Sequence, residues 1–389
     1  MVLYIFCFFM KKVIFLVNNV KYFLSHRLDI AVEAKKSGYD VHVAAPSSKD
    51  VDNDISTIKN LGFTYHSVRV QRGKQSIINE FKGVYDVFTL FINVRPDLVH
   101  LVTLKQVVIG GFLARVLGVR GSCAAIAGLG SVFISSSKRD LIIRFIFNLL
   151  ARFIFGKSNL RVIFQNINDQ NYFIDSGLLV ESKSVLIPGS GVNLIEFPYS
   201  TEQISTPVVI MASRLLRDKG VFEFAEAARI LKEEDVKVIF KLVGEIDQDN
   251  SSSLSMAELD LIVKEGNVQY LGYSDDIAKD YAESHIVCLP SYREGLPKSL
   301  IEAAACGRPI VTTDVPGCRD AVISNITGIL VPPRDSVKLA SAIKRFVEDA
   351  SLRKKMGLSG RQLAEDKFSI QKIVSLHMDV YADLIIMDK

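Results

Sequence analysis

Short apolar runs of β-strand length alternate with longer helical patterns along almost the whole chain. Residues 12–17 are typical of a buried strand, residues 23–38 of a helix, and residues 40–45 of the next strand. Because a strand, a helix and a second strand in succession form a parallel βαβ unit, this alternation predicts parallel sheets covered by helices. Further strands are predicted at residues 63–70, 98–102, 122–126 and 161–165.

One segment interrupts the alternation. Residues 185–207 are rich in Pro, Gly and Ser and show no helical period, which is typical of a linker. After it the alternation restarts, and the sequence predicts a helix at residues 221–233. The strands predicted in this half are residues 208–212, 237–243, 268–271, 286–290, 309–312 and 328–331. The chain is therefore expected to fold as two doubly wound Rossmann-like α/β domains in tandem.

The composition sets limits on partners and compartment. The 389 residues are 49% hydrophobic and 23% charged with a net charge of +4, which predicts a sizeable core but is too mild a charge to indicate nucleic acid. No apolar run reaches the ~20 residues that a membrane span needs. The cysteines lack metal-type spacing and are expected to be buried and reduced, as in a cytoplasmic protein; they are Cys7, Cys123, Cys288, Cys306 and Cys318.

The first nine residues need a separate interpretation. They are apolar, and Lys11 and Lys12 follow them, whereas a signal peptide carries its charge in front. Met10 looks like a natural start, so we expect residues 1–9 to be an upstream extension; a short interfacial anchor is the alternative.

Two glutamates flank a helix start in the second half. Glu294 lies in a loop after a buried strand, before a Gly-Leu-Pro turn, and Glu302 lies inside the following helix. Ligands of open α/β sheets bind outside the carboxyl ends of the strands, and a helix N-terminus there suits a phosphate. The two carboxylates could hold two hydroxyl-bearing parts of one ligand, or be a solvated loop charge and a helix-surface charge.

Two cations follow the first strand of the same half. Arg214 comes directly after that strand, and Lys219 stands just before the next helix. A guanidinium and an ammonium at such a junction can bind a diphosphate together. Ordinary solvated loop charges are the alternative reading.

These segments carry a family resemblance. "SRLLRDKG", "LVGEID", "YLGYSDD" and "SYREGLPKSLIEAAACGRPIVTTDVPGCRDAV" resemble, in order, the second domain of the retaining family 4 glycosyltransferases. "YFLSHR", "DLVHLVTLK", "AGLG" and "IPGSGVN" resemble the first domain less specifically, and the set is most similar to the bacterial branch that extends lipid-linked oligosaccharides for O-antigen, capsule or glycan assembly. The resemblance implies the GT-B fold, in which two Rossmann-like domains face each other across a cleft. It implies an acceptor domain at 10–190, a nucleotide-sugar domain at 191–369, and a last helix at 370–389 that crosses back to the first domain.

The resemblance also implies roles for the donor residues. Glu294 would contact the donor sugar, Glu302 the ribose hydroxyls, and Arg214 and Lys219 the diphosphate, so Glu294, Arg214 and Lys219 are the candidate catalytic residues. The candidate donor-binding residues are Glu302, Gly295, Leu296, Pro297, Lys298, Val243, Gly244 and Tyr273. The amides of residues 295–298 would meet the phosphates or the sugar, and residues 243, 244 and 273 would lie near the base.

The first half departs from the family pattern. The loop after the first strand reads "NNVKYF" where many members have Gly-Gly, and Val102 stands where many have a second His. The residue of the first domain that faces the donor sugar is therefore not assigned. Candidates for the acceptor site are His26, Arg27, Gly128 and Gly130; for His26 and Arg27 an ordinary helix-surface pair is the alternative.

Three further features of the sequence bear on cofactors and on the membrane. Asp-x-Asp strings within residues 50–54 and 247–249 lie in polar loops, so no metal is expected. No Gly-x-Gly-x-x-Gly follows a strand, which disfavours a dehydrogenase. Residues 137–161 are apolar with interspersed arginines, which is typical either of an amphipathic helix on an anionic membrane or of a core helix covering the first sheet.

The resemblance therefore predicts a retaining, metal-independent glycosyltransferase without a cofactor. It would move a hexose or N-acetylhexosamine from a nucleotide diphosphate sugar to a polyprenyl-diphosphate-linked saccharide. The donor is expected to be a UDP sugar. Its predicted place is the cytoplasm, peripheral on the inner face of the cell membrane, without nucleic acid as a partner. The alternatives are a nucleotide-sugar epimerase of similar architecture and a non-catalytic sugar-nucleotide-binding subunit.

Overall fold

The structure, a computed structural model, describes residues 10–47, 51–70, 76–129, 138–247, 250 and 252–386. The chain divides into two units. The first comprises the chain up to Phe164, Asp169–Ile187 and the chain from Val374 onward, and the second comprises Gln165–Asn168 and Pro188–Ile373. Residues 1–9, and with them Cys7 and both interpretations of the N-terminus, lie outside the described residues.

A parallel sheet in the order β3-β2-β1-β4-β5-β6-β7 forms the centre of the first unit. Every residue of its inner strands β4, β5 and β6 is buried, which is expected of a parallel sheet with both faces covered. The strands are β1 (Lys11–Leu16), β2 (Tyr39–Ala45), β3 (Thr64–Ser67), β4 (Leu98–Val102), β5 (Gly121–Ile126), β6 (Leu160–Phe164) and β7 (Ser184–Leu186).

The helices up to this point are α1 (Val20–His26), α2 (Leu28–Lys36), α3 (Asp52–Asn60), α4 (Ile77–Val94), α5 (Leu104–Val116), α6 (Lys138–Phe155) and α7 (Ile167–Asp175). The single helix predicted at residues 23–38 is wrong at one point: α1 ends and α2 begins around Arg27, whose φ of −132° and ψ of −7° leave the helical region. Its side chain turns inward and donates to the His26 carbonyl at 2.8 Å. The predicted end is confirmed, since Gly38 has φ +86°.

Three helices share one face of the first sheet. Buried side chains of α4, α5 and α6 pack in a single apolar cluster with strand residues such as Leu16, Leu101 and Phe164. Helix α6, which lies within residues 137–161, therefore has a side that covers the first sheet and a side that is exposed. Phe147, Ala151 and Ile154 of α6 are core residues, while other apolar side chains of the same helix are exposed.

The second unit is built on a parallel sheet in the order β10-β9-β8-β11-β12-β13. Its strands are β8 (Val208–Ala212), β9 (Ile239–Val243), β10 (Gln269–Gly272), β11 (Ile286–Leu289), β12 (Ile310–Thr313) and β13 (Gly328–Val331). The remaining helices are α8 (Val221–Glu233), α9 (Met256–Lys264), α10 (Ile277–Ala282), α11 (Lys298–Ala305), α12 (Ser336–Glu348), α13 (Ala350–Leu363) and α14 (Ile370–Ile386). With both sheets parallel and helix-covered, the predicted fold class is confirmed.

Most of α14 belongs to the first unit. The Tyr381 hydroxyl shares a hydrogen bond with Nδ1 of His100 on β4, 281 residues away in the sequence. Asp383 pairs with Arg161 at 2.6 Å, and Arg120 donates to the Ile385 carbonyl at 2.7 Å. The last helix therefore supplies part of the interior of the first unit.

Two expectations from composition can be compared with the described residues. Cys123, Cys288, Cys306 and Cys318 are buried free thiols. Within the part of the chain that the structure describes, no helix has the length and apolarity needed to cross a membrane.

Candidate functional site

The candidate residues follow the two central strands of the second sheet. β8 and β11 are hydrogen-bonded neighbours, with Val209 opposite Ile286. Because parallel strands end at the same edge, the loop after β8 lies beside the loop after β11. The first of these loops carries Arg214 and Lys219, and the second carries Glu294.

An ion pair joins the two loops. Nζ of Lys219 pairs with Oε1 of Glu294, and the two side chains are only 17% and 11% exposed. The Tyr292 amide donates to the Asp218 carbonyl at 2.8 Å, which fixes one backbone against the other. Gly220 has φ +78°, and a Cβ there would lie 2.2 Å from the Pro290 carbonyl oxygen, so the approach requires glycine. The cation and the carboxylate are thus assembled in a partly dehydrated place, where their charges act strongly.

A second contact holds Glu294 from the other side. Its amide donates to the Pro316 carbonyl at 3.1 Å. Gly317 has φ +82°, and a Cβ there would lie 2.5 Å from the Glu294 carbonyl oxygen. The backbone of Glu294 is therefore held between the β8 loop and the turn after β12.

Tyr292 braces the same place through its side chain. Its hydroxyl donates to Oε1 of Glu223, in the first turn of α8, at 2.6 Å. The guanidinium of Arg334 lies 4.5 Å from the centre of its ring. Burial raises the pKa of Tyr292 to about 12, and the Glu223 carboxylate adds to that shift, so the hydroxyl stays protonated and donating.

Arg214 is the more accessible of the two cations. Its side chain is 46% exposed and pairs with Asp247. Its neighbours are tied to the end of β9, since the Ser213 amide donates to the Val243 carbonyl at 3.0 Å and the Leu215 amide to the Glu245 carbonyl at 2.9 Å. The guanidinium is placed on a rigid edge yet remains open to an anionic ligand.

Glu302 is a buried carboxyl. It is 7% exposed in α11, and Nζ of Lys298 lies 3.3 Å from its Oε1. Burial raises the pKa of Glu302 and the Glu196 carboxylate adds to this, while Lys298 opposes the shift. A carboxyl so placed can accept hydrogen bonds from ligand hydroxyls with little competition from water.

The expectation that the amides of residues 295–298 meet the phosphates or the sugar needs correction. Pro297 has no N–H and is the N-cap of α11, and the Leu296 amide already donates to Oε1 of Gln165 at 3.2 Å. At most the amides of Gly295 and Lys298 remain for a ligand. Gln165 was missed by the sequence reasoning, as was its neighbour Asn166, whose Nδ2 donates to the Gly295 carbonyl at 2.9 Å. No pattern in the sequence links them to a loop some 130 residues away.

The residues assigned to the nucleotide base lie together at another part of this edge. Gly244 has φ +136° and its amide donates to the Gly272 carbonyl at 2.8 Å, so the end of β9 lies against the end of β10. Val243 is buried, and Tyr273 is exposed. The structure brings these residues together, and their contact with a base stays a prediction.

The acceptor candidates of the first unit separate into different environments. His26 is half-buried and stacks on Tyr22, with ring centres 4.2 Å apart. Arg27 is 2% exposed and lies inside the unit, out of reach of a ligand in this conformation. Gly128 has φ +128°, and Gly130 lies outside the described residues.

The two acidic strings lie in different surroundings. Asp52 and Asp54 of the first acidic string lie in the first turn of α3, and Asp247 of the second pairs with Arg214. Asp50 and Asp249 lie outside the described residues. Within the described part of the chain, no group of three or more His, Cys, Asp or Glu side chains could hold a metal ion.

Comparison with family models decides the identity. Residues 198–363 match the model described as glycosyl transferases group 1, and residues 12–166 match the model described as glycosyl transferase 4-like. The chain belongs to these glycosyltransferases. Both of its units are accounted for by the two models in the expected order.

Curated relatives cover most of this glycosyltransferase. It is 29% identical over 361 residues to N,N'-diacetylbacillosaminyl-diphospho-undecaprenol alpha-1,3-N-acetylgalactosaminyltransferase of Campylobacter jejuni, covering 87% of this chain and 92% of the relative. It is 25% identical to UDP-Gal:alpha-D-GlcNAc-diphosphoundecaprenol alpha-1,3-galactosyltransferase of Escherichia coli, covering 80% and 81% of the two chains. Both relatives are named for transfer to a sugar on a diphosphoundecaprenol.

Solved structures show the same fold. The glycosyltransferase resembles Anabaena Alr3699/HepE in complex with UDP with a TM-score of 0.75, at 19% identity over 96% of this chain and 100% of that one. At this identity the likeness concerns the fold, which is GT-B.

Proposed function

We propose that this protein transfers a hexose or N-acetylhexosamine from a nucleotide diphosphate sugar, UDP-linked, to a saccharide on a polyprenyl diphosphate carrier in bacterial surface polysaccharide or glycan assembly. The observation that carries the proposal is the partly buried Lys219–Glu294 pair at the ends of β8 and β11. It joins a cation suited to a diphosphate with a carboxylate suited to sugar hydroxyls. The relatives named for such acceptors support the second substrate.

The cations stabilise the leaving group. Lys219 and Arg214 offset the charge that develops on the nucleotide diphosphate as its bond to the sugar C1 breaks. Both are fixed by carboxylate partners, so little reorganisation is needed. Glu294 orients the sugar ring, and Glu302 accepts hydrogen bonds from the ribose hydroxyls.

Transfer proceeds with retention of the anomeric configuration. The acceptor oxygen forms the new bond to C1 on the face that the diphosphate leaves, and the acceptor proton passes to a phosphate oxygen of the leaving diphosphate. This step uses no protein base, no metal ion and no cofactor. The support is the pair of cations already placed for the leaving charge.

The acceptor determines the place of action. A polyprenyl carrier stays in the bilayer, so the enzyme works in the cytoplasm on the inner face of the cell membrane. His26 and Gly128, both half-buried, are the remaining acceptor candidates that the structure describes at positions open to solvent.

The test is a transfer assay with a panel of nucleotide sugars and a short-chain lipid diphosphate saccharide. We expect one donor to give a glycosylated product, and Lys219→Met to lower the rate by about 10²–10³-fold. Lys344→Met is the matched control, because Lys344 also pairs with a glutamate, Glu234 at 2.8 Å, but on the surface.

Three results would contradict the proposal. The first is conversion of a nucleotide sugar to its epimer without an acceptor. The second is donor binding without turnover across the whole panel. The third is a Lys219→Met enzyme that is as active as the Lys344→Met control.

A further inference from the structure

Two buried amide side chains contact the loop that carries Glu294. We call residues 294–297, which lead from Glu294 to the N-cap of α11, the donor loop. Gln165 and Asn166 directly follow β6 in the chain, yet they belong to the second unit. Gln165 is 8% exposed and Asn166 only 1%. Because burying a primary amide costs free energy unless its polar atoms are paired, the partners of these two side chains indicate what they do.

Both amides bind the same peptide group. Nδ2 of Asn166 donates to the Gly295 carbonyl at 2.9 Å, and the Leu296 amide donates to Oε1 of Gln165 at 3.2 Å. That carbonyl and that N–H are the two polar ends of one peptide plane, and in a trans peptide they point in opposite directions. The two side chains therefore hold the plane from both sides, and we call Gln165 and Asn166 the amide clamp.

This peptide plane lies between the two carboxylates of the site. Glu294 precedes it, and Pro297, the N-cap of the helix that contains Glu302, follows it. Since Gly295 has no Cβ, the backbone itself restricts rotation of the plane only weakly. Fixing the plane therefore fixes the direction in which Glu294 leaves the helix start, and with it the placement of Glu294 relative to Glu302.

Other contacts hold the neighbouring parts of the donor loop. The Glu294 amide donates to the Pro316 carbonyl at 3.1 Å. The Leu296 side chain is 7% exposed, and a Cβ on Gly189 would lie 2.7 Å from its Cδ2. A backbone hydrogen bond at one end and a packed side chain at the other leave the peptide plane between them free to turn. The amide clamp supplies the restraint on that rotation.

A neutral clamp suits a site that binds a diphosphate. A carboxylate in its place would repel the phosphates, and a cation would compete with Lys219 for Glu294. A primary amide offers a donor to a carbonyl or an acceptor to an N–H without adding net charge. The clamp can therefore orient the donor loop and leave the charges of Arg214 and Lys219 available to the ligand.

We propose that Gln165 and Asn166 are positioning residues for sugar transfer. Without touching either substrate, the amide clamp holds the donor loop so that Glu294 meets the donor sugar while Glu302 meets the ribose. The role in transfer rests on the proposed function, whereas the clamp itself rests on contacts inside the second unit alone.

Hydrogen–deuterium exchange of the full chain without substrates tests the clamp itself. Gln165→Met keeps the length and volume of the side chain but removes the acceptor, so the Leu296 amide should exchange at least about tenfold faster than in the wild type. Overlapping peptides that end before and after Leu296 resolve this amide. An unchanged exchange rate there overturns the clamp.

Thr327→Val is the matched control for this experiment. Thr327 is 1% exposed, and its Oγ1 accepts a hydrogen bond from the Ile323 amide at 2.9 Å, so it too is a buried acceptor for a backbone N–H. It directly precedes β13, whereas the donor loop comes after β11, so in a parallel sheet the two lie at opposite edges. The control should speed exchange around Ile323 and leave the Leu296 amide protected.

Transfer kinetics with the donor that the panel identifies test the role in catalysis. We expect Gln165→Met and Asn166→Ala each to lower kcat about tenfold with less than about threefold change in the donor KM, because Glu294 is present but misaligned for the transition state. Thr327→Val should leave both constants unchanged even where its melting temperature falls as much. The two clamp variants are independent, so a poorly folded one does not decide the result.

A double-mutant cycle separates positioning from a merely structural role. Because the clamp acts through Glu294, Gln165→Met should cost less than about threefold in a Glu294→Gln enzyme. A full tenfold loss in that background, or clamp variants with the kcat of the Thr327→Val control, overturns the proposal. A chain that transfers no sugar from any donor overturns the proposed function and with it the role in transfer, whereas the exchange rate at Leu296 still decides the clamp.

Discussion

Both units bury charged and polar side chains, but they differ in what these side chains contact. In the second unit, Arg308 and Arg353 are buried against nearby loops, while Arg214 and Lys219 lie at the ends of the central strands. The first unit encloses a polar cluster made of Arg27, His100, His377 and Tyr381, and leaves apolar side chains of α4 and α6 exposed, such as Phe81 and Phe145. The comparison indicates that the second unit gathers its accessible charges at one edge of its sheet, whereas the polar cluster of the first unit joins its sheet to α14.

The polar cluster of the first unit is adapted to its surroundings. Burial holds the pKa of His100 well below its usual value, and the nearby Arg27 and His377 lower it further. The ring is therefore neutral and can share a hydrogen bond with Tyr381 while stacking on Phe15 at 5.0 Å. Because these groups are paired inside the unit, we expect their replacement to affect stability before catalysis.

The largest expected effect concerns the ion pair of the second unit. Glu294→Gln alone and Lys219→Met alone should each lower kcat by about 10²–10³-fold, because each removes one half of a preassembled arrangement. The double variant should lose at most about tenfold more than the worse single variant, since the two residues act together. Single-turnover rates of all four proteins measure this coupling, and fully multiplied losses would show that the two residues act independently.

Glu302→Gln should separate binding from stability. We expect the KM for the donor to rise about 10–100-fold, because hydrogen bonds to a charged acceptor are lost. Since its raised pKa means that folded Glu302 holds a proton more tightly than the unfolded chain, the wild type loses stability as pH rises above the usual carboxyl value of 4.5. The Gln variant lacks that loss, so its melting temperature should equal or exceed that of the wild type at pH 8, with no gain below pH 4.5. A lower melting temperature at pH 8 would contradict this account.

Tyr381→Phe tests the first unit. Removing the hydroxyl leaves the buried Nδ1 of His100 without this partner, which should lower the free energy of unfolding by about 1–3 kcal/mol. Tyr65→Phe is the control, because its hydroxyl donates to the Ala45 carbonyl at 2.9 Å in a partly exposed place. Denaturant unfolding should show the larger loss for Tyr381→Phe, and equal losses would argue against a special role for the cluster.

The smallest expected effect concerns Tyr292. Tyr292→Phe keeps the ring under Arg334 but removes the hydrogen bond to Glu223, so the β11 loop is held less firmly beside Lys219. We expect the KM for the donor to rise about fivefold with little change in melting temperature, as for a lost hydrogen bond of about 1 kcal/mol. An unchanged KM would mean that the backbone contacts of this loop suffice.

Much of the second unit could be predicted because its signals are local. Strands β8 and β13 and helix α8 lie where the apolar runs place them, and the turn glycines mark the loops that carry Arg214 and Glu294. Lys219 can pair with Glu294 because β8 and β11 are adjacent strands. The loops that follow adjacent parallel strands lie at the same edge of the sheet.

The features that sequence reasoning missed depend on contacts between residues that are far apart in the chain. The break at Arg27 interrupts a pattern that continues as a helix on both sides, because the side chain is drawn into the interior. The apolar pattern of α4 cannot say which of its two sides is buried, since both are apolar. Gln165 and His100 acquire their partners from loops or helices more than 100 residues away.

The path of α14 has a consequence for synthesis on the ribosome. Tyr381 and Asp383 are made only after the second unit, yet they complete the interior of the first unit. A nascent first unit therefore emerges without the helix that packs on His100, and it lacks that helix until the second unit has been made. Fragments that stop at the linker should consequently fold poorly and bind chaperones, although they contain all strands of the first sheet.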